Sequence, residues 1–480
     1  MAKSKDKLKQ YVVLPARGLT ASGLESAALT AIMKPGVTQA GGNQLVAGEG
    51  LGLTAAPMVV VAETAVAASR HLLSSARHVT SAPSPKMKID HSFMGDGPKL
   101  VTAAATAERL LRANGYRLVP VTKYDLALPK AGASKKKKAK APRRKATSVK
   151  RSGRRALSPL KVHAATAVSV QGANDFLRHL YFGLRQDGGK LGEGVTVAVL
   201  DSGVDGTHPR LAHAVNGGRG MVPGESDLDW GPCTWPNGVH GTHVAGIICA
   251  EGDSATGPLG VAPRAKVRSY RIFSKTDGSV GASNYSIINA VRAAVEDGCD
   301  IINMSISGTL AREDGVRDAV NYAYDNGSLC IAAAGNDFRR PVGYPAAHSN
   351  CIAISALGKS DLIPAGDSAR DFISSPKSKS DSSVFLAKFS NFGPQIDFAG
   401  PGVWIVSTLP QNGTGPMSGT SMAAPAISGF AAVVLSRNGN ILGASRNAAR
   451  SEAIYQSLVA RAKLYDLGSF DYEGYGIPQM

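Results

Sequence analysis

No stretch of about 18 uninterrupted apolar residues, the length a helix needs to cross a bilayer, occurs in the 480-residue chain. The nearest approach, APMVVVAETAVAA from Ala56 to Ala68, is short and broken by Glu63, so no membrane span is expected. The opening MAKSKDKLKQYVVLPARG is basic but enters only a brief apolar run, too short for a signal-peptide core. The expectation is a cytoplasmic protein, with a nonstandard export route as the alternative. Cysteine is sparse too. Cys233, Cys249, Cys299, Cys330 and Cys351 all lie in the second half, are odd in number and contain no C-x-x-C pair. That excludes a disulfide framework or zinc site and leaves buried, reduced thiols. Acidic residues are missing from Ser134–Arg155, where seven lysines and five arginines supply twelve of the eighteen excess positive charges. Aromatics are missing there as well, which argues against base stacking. The run reads as a solvated linker with, at most, weak contact to an anionic surface or nucleic acid.

What is present falls on either side of that run. Before it, QYVVLPARGL reads as a strand, residues 36–55 as a glycine-rich loop, and MVVVAETAVAASRHLLSSA leans helical through its alanines. KMKIDHSFMG then reads as a strand, VTAAATAERLLRANG as a helix and YRLVPVTKYDLAL as a strand, making a small α+β unit. After it, GVTVAVLDSGV, AKVRSYRIF, DIINMSIS and LCIAAAGN read as buried strands. They alternate with helices in HGTHVAGIICA, SIINAVRAAVEDG and VRDAVNYAYDNG. Such alternation predicts a three-layer α/β domain with a mainly parallel sheet flanked by helices, whose functional residues gather at the carboxyl ends of the strands.

Four residues answer that rule. Asp201 ends VTVAVL, although a strand-ending aspartate is often just a turn former. His240 and His243 both lie in NGVHGTHVAGI; His240, at the helix start, is better placed to face a cleft, and His243, one turn in, to be packed. Asn336 ends IAAAGND and carries an amide able to donate to an oxyanion. Ser421 opens the apolar helix of GTSMAAPAISGFAAVV, where a serine ordinarily caps. Gly419, the small Ala423 and Ala424, and Pro425 at what reads as an early helical position give this turn more than a cap requires. Together the four supply what acyl transfer needs: a nucleophile, a base, an acid to orient the base and an oxyanion donor.

VAVLDSGVDGTHP, HGTHVAG, GVAPRA, IINMSISG, AAAGN, YPA and GTSMAAPAISG, in this order from about Gly194 to Tyr465, closely resemble the subtilisin-like serine proteases. The resemblance implies a serine endopeptidase with Ser421 as nucleophile, His240 as general base and acid, Asp201 as its orienting carboxylate and Asn336 in the oxyanion hole. It implies substrate contacts from Ser305, Ile306, Ser307 and Gly308 on one wall of the primary pocket and from Ala333, Ala334 and Gly335 on the other. Gly343 would leave the pocket roomy for large P1 side chains, with Asp337 near its mouth. No cofactor is implied. Calcium, common among such enzymes, has no evident loop in EGDSATGPLGVAP beyond Asp253 and backbone carbonyls. The α+β unit resembles the family's propeptides, which occupy their own enzyme's cleft. The organisation implied is therefore a propeptide-like region at 1–130, a basic linker at 131–160, a catalytic domain at 161–465 and a tail at 466–480. Self-cleavage would fall near Tyr124–Leu128 or at Arg143–Arg144 or Arg154–Arg155. Residues 359–388 read as a surface insertion.

Overall fold

The computed structural model describes residues 9–14, 87–92, 98–103, 108, 111–112, 116–129, 181–184 and 190–480, less 253–256, 278–280 and 309–313. The glycine-rich stretch 36–55, the alanine-rich segment after it and the basic run lie outside these residues.

The amino-terminal unit is a four-stranded antiparallel sheet of β1 (Lys9–Leu14), β2 (Met87–Ser92), β3 (Lys99–Ala103) and β4 (Arg117–Pro120), in the order β2-β3-β1-β4. Here the sequence reading needs correction. Residues 101–103, read as the start of a helix, belong to β3 because Val101 and Ala103 pack with Tyr11, Val13 and Leu118. Tertiary packing of one sheet face outweighs the weak intrinsic preference of alanine. The segment read as one strand from Tyr116 to Leu128 is interrupted after Pro120 and resumes as β5 (Lys123–Leu126), which leaves this sheet altogether.

The large sheet contains the four expected strands, β6 (Thr196–Asp201), β8 (Lys266–Arg271), β10 (Ile301–Met304) and β12 (Leu329–Ala333), and four more that the sequence reading did not assign, β7 (Val215–Gly220), β13 (Cys351–Lys359), β14 (Val384–Leu386) and β15 (Ile396–Pro401). Every pairing is parallel except β13 with β14. The short β9 (Ala282–Ser283) and β11 (Ile306–Ser307) lie outside it. Because side chains alternate along a strand, one set of residues faces each helical layer. Val197, Val199, Ile331 and Ala333 pack with helices α1 (His240–Cys249) and α4 (Thr420–Ser436). Ala198, Leu200, Ile302 and Cys330 pack on the other face with α2 (Asn284–Glu296) and α3 (Asp314–Asp325). All seventeen residues of α4 are buried, which its run of alanines and absence of charge permit. All five cysteines are buried free thiols, and burial pushes Cys330 up to about 12 and Cys351 well above its ordinary value.

The amino-terminal unit rests on the α2–α3 layer. Leu14, Leu100 and Val119 join the core of Ile288 and Val316, and Asn284 donates to the Pro120 carbonyl while its own amide donates to Thr122. The 359–388 segment is stapled to its surroundings: Lys379 Nζ donates to Asp466, Trp404 Nε1 donates to Asp367, and Arg339 donates to Ser374 Oγ and to the carbonyls of Ser375 and Leu386.

Candidate active site

β6 delivers Asp201 at its carboxyl end, fully buried, with the Ser202 amide donating to Oδ1 at 2.6 Å. At the first residue of α1, His240 turns Nδ1 to the same carboxylate, 2.8 Å from Oδ1 and 2.9 Å from Oδ2. A carboxylate only accepts, so Nδ1 carries the proton and Nε2 keeps its lone pair. Nε2 has no hydrogen-bond partner and Nδ1 is held in place, as a base requires. His243 lies one turn further in, its Nε2 3.0 Å from the Ile405 carbonyl and 3.1 Å from that of Gly415. It ties α1 to the hairpin of β16 (Ile405–Leu409) and β17 (Gly413–Met417), and burial lowers its pKa to about 3, so it stays neutral.

Ser421 is the second residue of α4. Pro425 proves to be the sixth residue of this helix rather than an early one, and its consequence falls on Ser421. A proline has no N–H to donate four residues back, so the Ser421 carbonyl loses its helical partner. Ser305 Oγ replaces it at 2.9 Å, supported by Asn303, which in turn accepts from Ser428 of the same helix. Asn336 directs Oδ1 to the amide and hydroxyl of Thr420, both at 3.0 Å, and leaves Nδ2 buried without a partner. Thr420 Oγ1 also accepts from the Gly335 amide at 3.2 Å. The left-handed φ of +107° at Gly335 lets the chain turn from β12 to Asn336 there.

Between these groups runs β5. It is the middle strand of three, antiparallel on one edge to β11 (Leu126 opposite Ile306, Asp125 opposite Ser307) and on the other to β9 (Tyr124 opposite Ala282). The next residue, Ala127, donates its amide to the Ser305 carbonyl at 3.1 Å. The Ala127 carbonyl oxygen lies 2.5 Å from Ser421 Oγ and 3.4 Å from the Ser421 amide. The serine hydroxyl is thus directed at Ala127 and 3.1 Å from the Ser305 carbonyl, with no hydrogen bond to His240. Tyr124 is buried against Gly308.

The amino-acid sequence and this architecture both match known proteins. Residues 192–476, more than half of the chain, match the subtilase family. The chain is a subtilase. It is 35% identical to thermitase of Thermoactinomyces vulgaris over 54% of this chain and 82% of thermitase. It is 38% identical to the thermophilic serine proteinase of Bacillus sp. strain AK1 over 52% of this chain, spanning about half (53%) of that relative. Among solved structures, sphericase superposes with a TM-score of 0.51 at 27% identity, covering 63% of this subtilase and 96% of sphericase. As a member of the family this subtilase is a serine endopeptidase that acts on protein or peptide substrates.

Of the residues singled out in the sequence, the fold pairs Asp201 with His240, holds Asn336 against Thr420 beside Ser421, and sets the Ser421 hydroxyl on the Ala127 carbonyl, with Ser305, Ile306, Ser307 and Gly308 along β5 and its continuation. Ala333, Ala334 and Gly335 form the facing wall, where Ala334 accepts from Gly343. A Cβ on Gly343 would collide with Ser307 Oγ, so the space directly beside this glycine is occupied. The Asp337 amide donates to Asn391 Oδ1 and its carboxylate accepts from Asn391 Nδ2. Sequence reading missed β9 as the second edge of the cleft and Ser305 Oγ as the support of Ser421; the missing N–H of Pro425 was the available signal for the latter. Among the described residues no group of three or more His, Cys, Asp or Glu is poised to hold a metal, and no helix is long and apolar enough to cross a membrane. Asp253 lies outside the described residues.

Proposed function

We propose that Ser421, His240 and Asp201 form the catalytic triad, that Asn336 Nδ2 and the Ser421 amide hold the oxyanion, and that the chain is an autoinhibited zymogen cutting itself between Ala127 and Leu128. The observation that carries this reading is the Ala127 carbonyl oxygen, 2.5 Å from Ser421 Oγ at the end of a strand paired on both edges.

The hydroxyl turns from the Ala127 oxygen to His240 Nε2, gives up its proton there, and Oγ bonds to the Ala127 carbonyl carbon. The carbonyl electrons move to the oxygen, which the Ser421 amide and Asn336 Nδ2 stabilise; Asp201 stabilises the imidazolium. The intermediate collapses as Nε2–H protonates the Leu128 nitrogen, the C–N bond breaks, and Ala127 remains as an ester on Ser421. Water, deprotonated by the same nitrogen, releases the Ala127 carboxylate and restores the serine. Side chains alone carry each transfer. Cleavage there would leave the basic run on the enzyme side.

Mass spectrometry of the purified chain beside Ser421→Ala, with fluorophosphonate labelling, tests this. The wild type should label and release a fragment ending at Ala127, and Ser421→Ala should do neither. A sole cut at Arg143–Arg144 or Arg154–Arg155 refutes the assigned bond, and equal labelling of both proteins refutes the nucleophile.

A further inference from the structure

We infer that Ser307 closes the primary specificity pocket and restricts the residue on the acyl side of the cleaved bond to alanine or serine. This rests on the proposed register, in which Ala127 occupies that pocket.

Ser307 follows Ile306 in β11, opposite Asp125 of β5, and so stands in the wall against which the bound strand lies. Its Oγ is buried and has no hydrogen-bond partner. It sits between two glycines of the facing wall: a Cβ on Gly335 would lie 2.8 Å from it and one on Gly343 would overlap it. The walls are also tied together, since Gly308 and Tyr344 exchange amide hydrogen bonds of 2.8 and 3.0 Å and Gly343 donates to Ala334 at 2.8 Å. Asn391 Nδ2 crowds the same site, 2.5 Å from where a Gly335 Cβ would be, and is held there by the Ala334 carbonyl at 3.2 Å. The two glycines give up the space and Ser307 takes it back.

Two penalties then act on a large apolar P1 side chain. It must displace Ser307 Oγ inside a packed wall, and it leaves that hydroxyl buried with nothing to bond. A methyl group, as on Ala127, avoids the first. A serine avoids it and offers the hydroxyl a partner.

The test is kcat/KM of the processed enzyme on peptides that differ only at P1, carrying Ala, Ser, Leu or Phe, for the wild type and Ser307→Gly. Ala and Ser should exceed Phe by about 100-fold in the wild type, and Ser307→Gly should raise the Phe-to-Ala and Leu-to-Ala ratios of kcat/KM about tenfold or more. Ser307→Ala, the milder change, should abolish any advantage of Ser over Ala. A wild type that hydrolyses the Phe peptide within threefold of the Ala peptide overturns the inference, whatever the variants do. So does a Ser307→Gly enzyme with the wild-type ranking. Hydrolysis ranks the pocket, whereas fluorophosphonate labelling reads Ser421 and the mass of the released fragment reads the bond, so the two readings fail separately.

Discussion

Asn336→Ala separates chemistry from positioning at the oxyanion site. The amide does two things: Oδ1 accepts from the Thr420 amide and hydroxyl, and Nδ2, buried and unpartnered, is left to donate. Losing one preorganised donor to a developing oxyanion raises the barrier by about 3 kcal/mol, which at about 1.4 kcal/mol per tenfold is a rate loss of roughly 100- to 200-fold. Thr420→Val provides the control, because it leaves Nδ2 in place and removes only one of the two bonds that orient the amide. Its loss should be tenfold or less. The assay is the first-order rate of self-cleavage of the full chain, followed by mass spectrometry, so that each molecule turns over once on a substrate it already holds. Asn336→Ala also strands the buried Thr420 amide, at a cost of about 1–3 kcal/mol of stability, which thermal unfolding reads independently. Self-cleavage by Asn336→Ala within threefold of the wild type would refute the assignment of Nδ2, and equal losses in both variants would assign the effect to positioning alone.

His243, held near pKa 3 by burial, binds its proton less readily folded than unfolded, so its contribution to stability is present above about pH 6.5 and lost as pH falls toward 3. The full loss is on the order of 5 kcal/mol, and the acid limb of a Tm-against-pH curve should flatten in His243→Gln. Asp397 runs the opposite way. Burial raises it to about 6, against the Ala353 amide and Tyr455 hydroxyl, so its contribution is full below about pH 4 and lost as pH rises through 6. Asp397→Asn should therefore raise Tm at pH 8, by up to about 3 kcal/mol of stability, and change little at pH 4; equal shifts at both pH values would disprove it. Tyr124→Ala removes a buried aromatic ring worth about 3 kcal/mol or more from the segment in the cleft. The inhibition constant of fragment 1–127 on the processed enzyme should rise by at least about 100-fold, and a change under threefold would remove Tyr124 from the contact.

The parallel sheet was legible from four of its strands, β6, β8, β10 and β12, which lie in largely apolar runs alternating with helices, and because Asp201 and Asn336 fall where two of them stop; β7, with the sequence VNGGRG, carries no such run. His240 and Ser421 were legible as polar residues opening helices that are otherwise small and apolar. What was not legible depends on chain segments far apart in sequence. Val101 and Ala103 look helical beside their own alanines and become a strand only because β1 and β2 flank them. Gly343 reads as an open position until the fold brings Ser307 against it from 36 residues away. Each miss concerns what fills the space beside a residue, which local pattern does not encode.

The three-stranded arrangement around β5 has a kinetic consequence. Breaking the bond after Ala127 removes none of the backbone hydrogen bonds to β9 and β11, nor the seat of the amino-terminal sheet on α2 and α3. Under the proposed self-cleavage the cut enzyme would be a complex with its own product, and activity toward other chains would begin only when that product departs. Onset becomes a matter of dwell time: a dilute sample should show a lag fixed by unbinding alone. A concentrated one should show a lag that shortens as the first freed molecules digest the fragments of their neighbours.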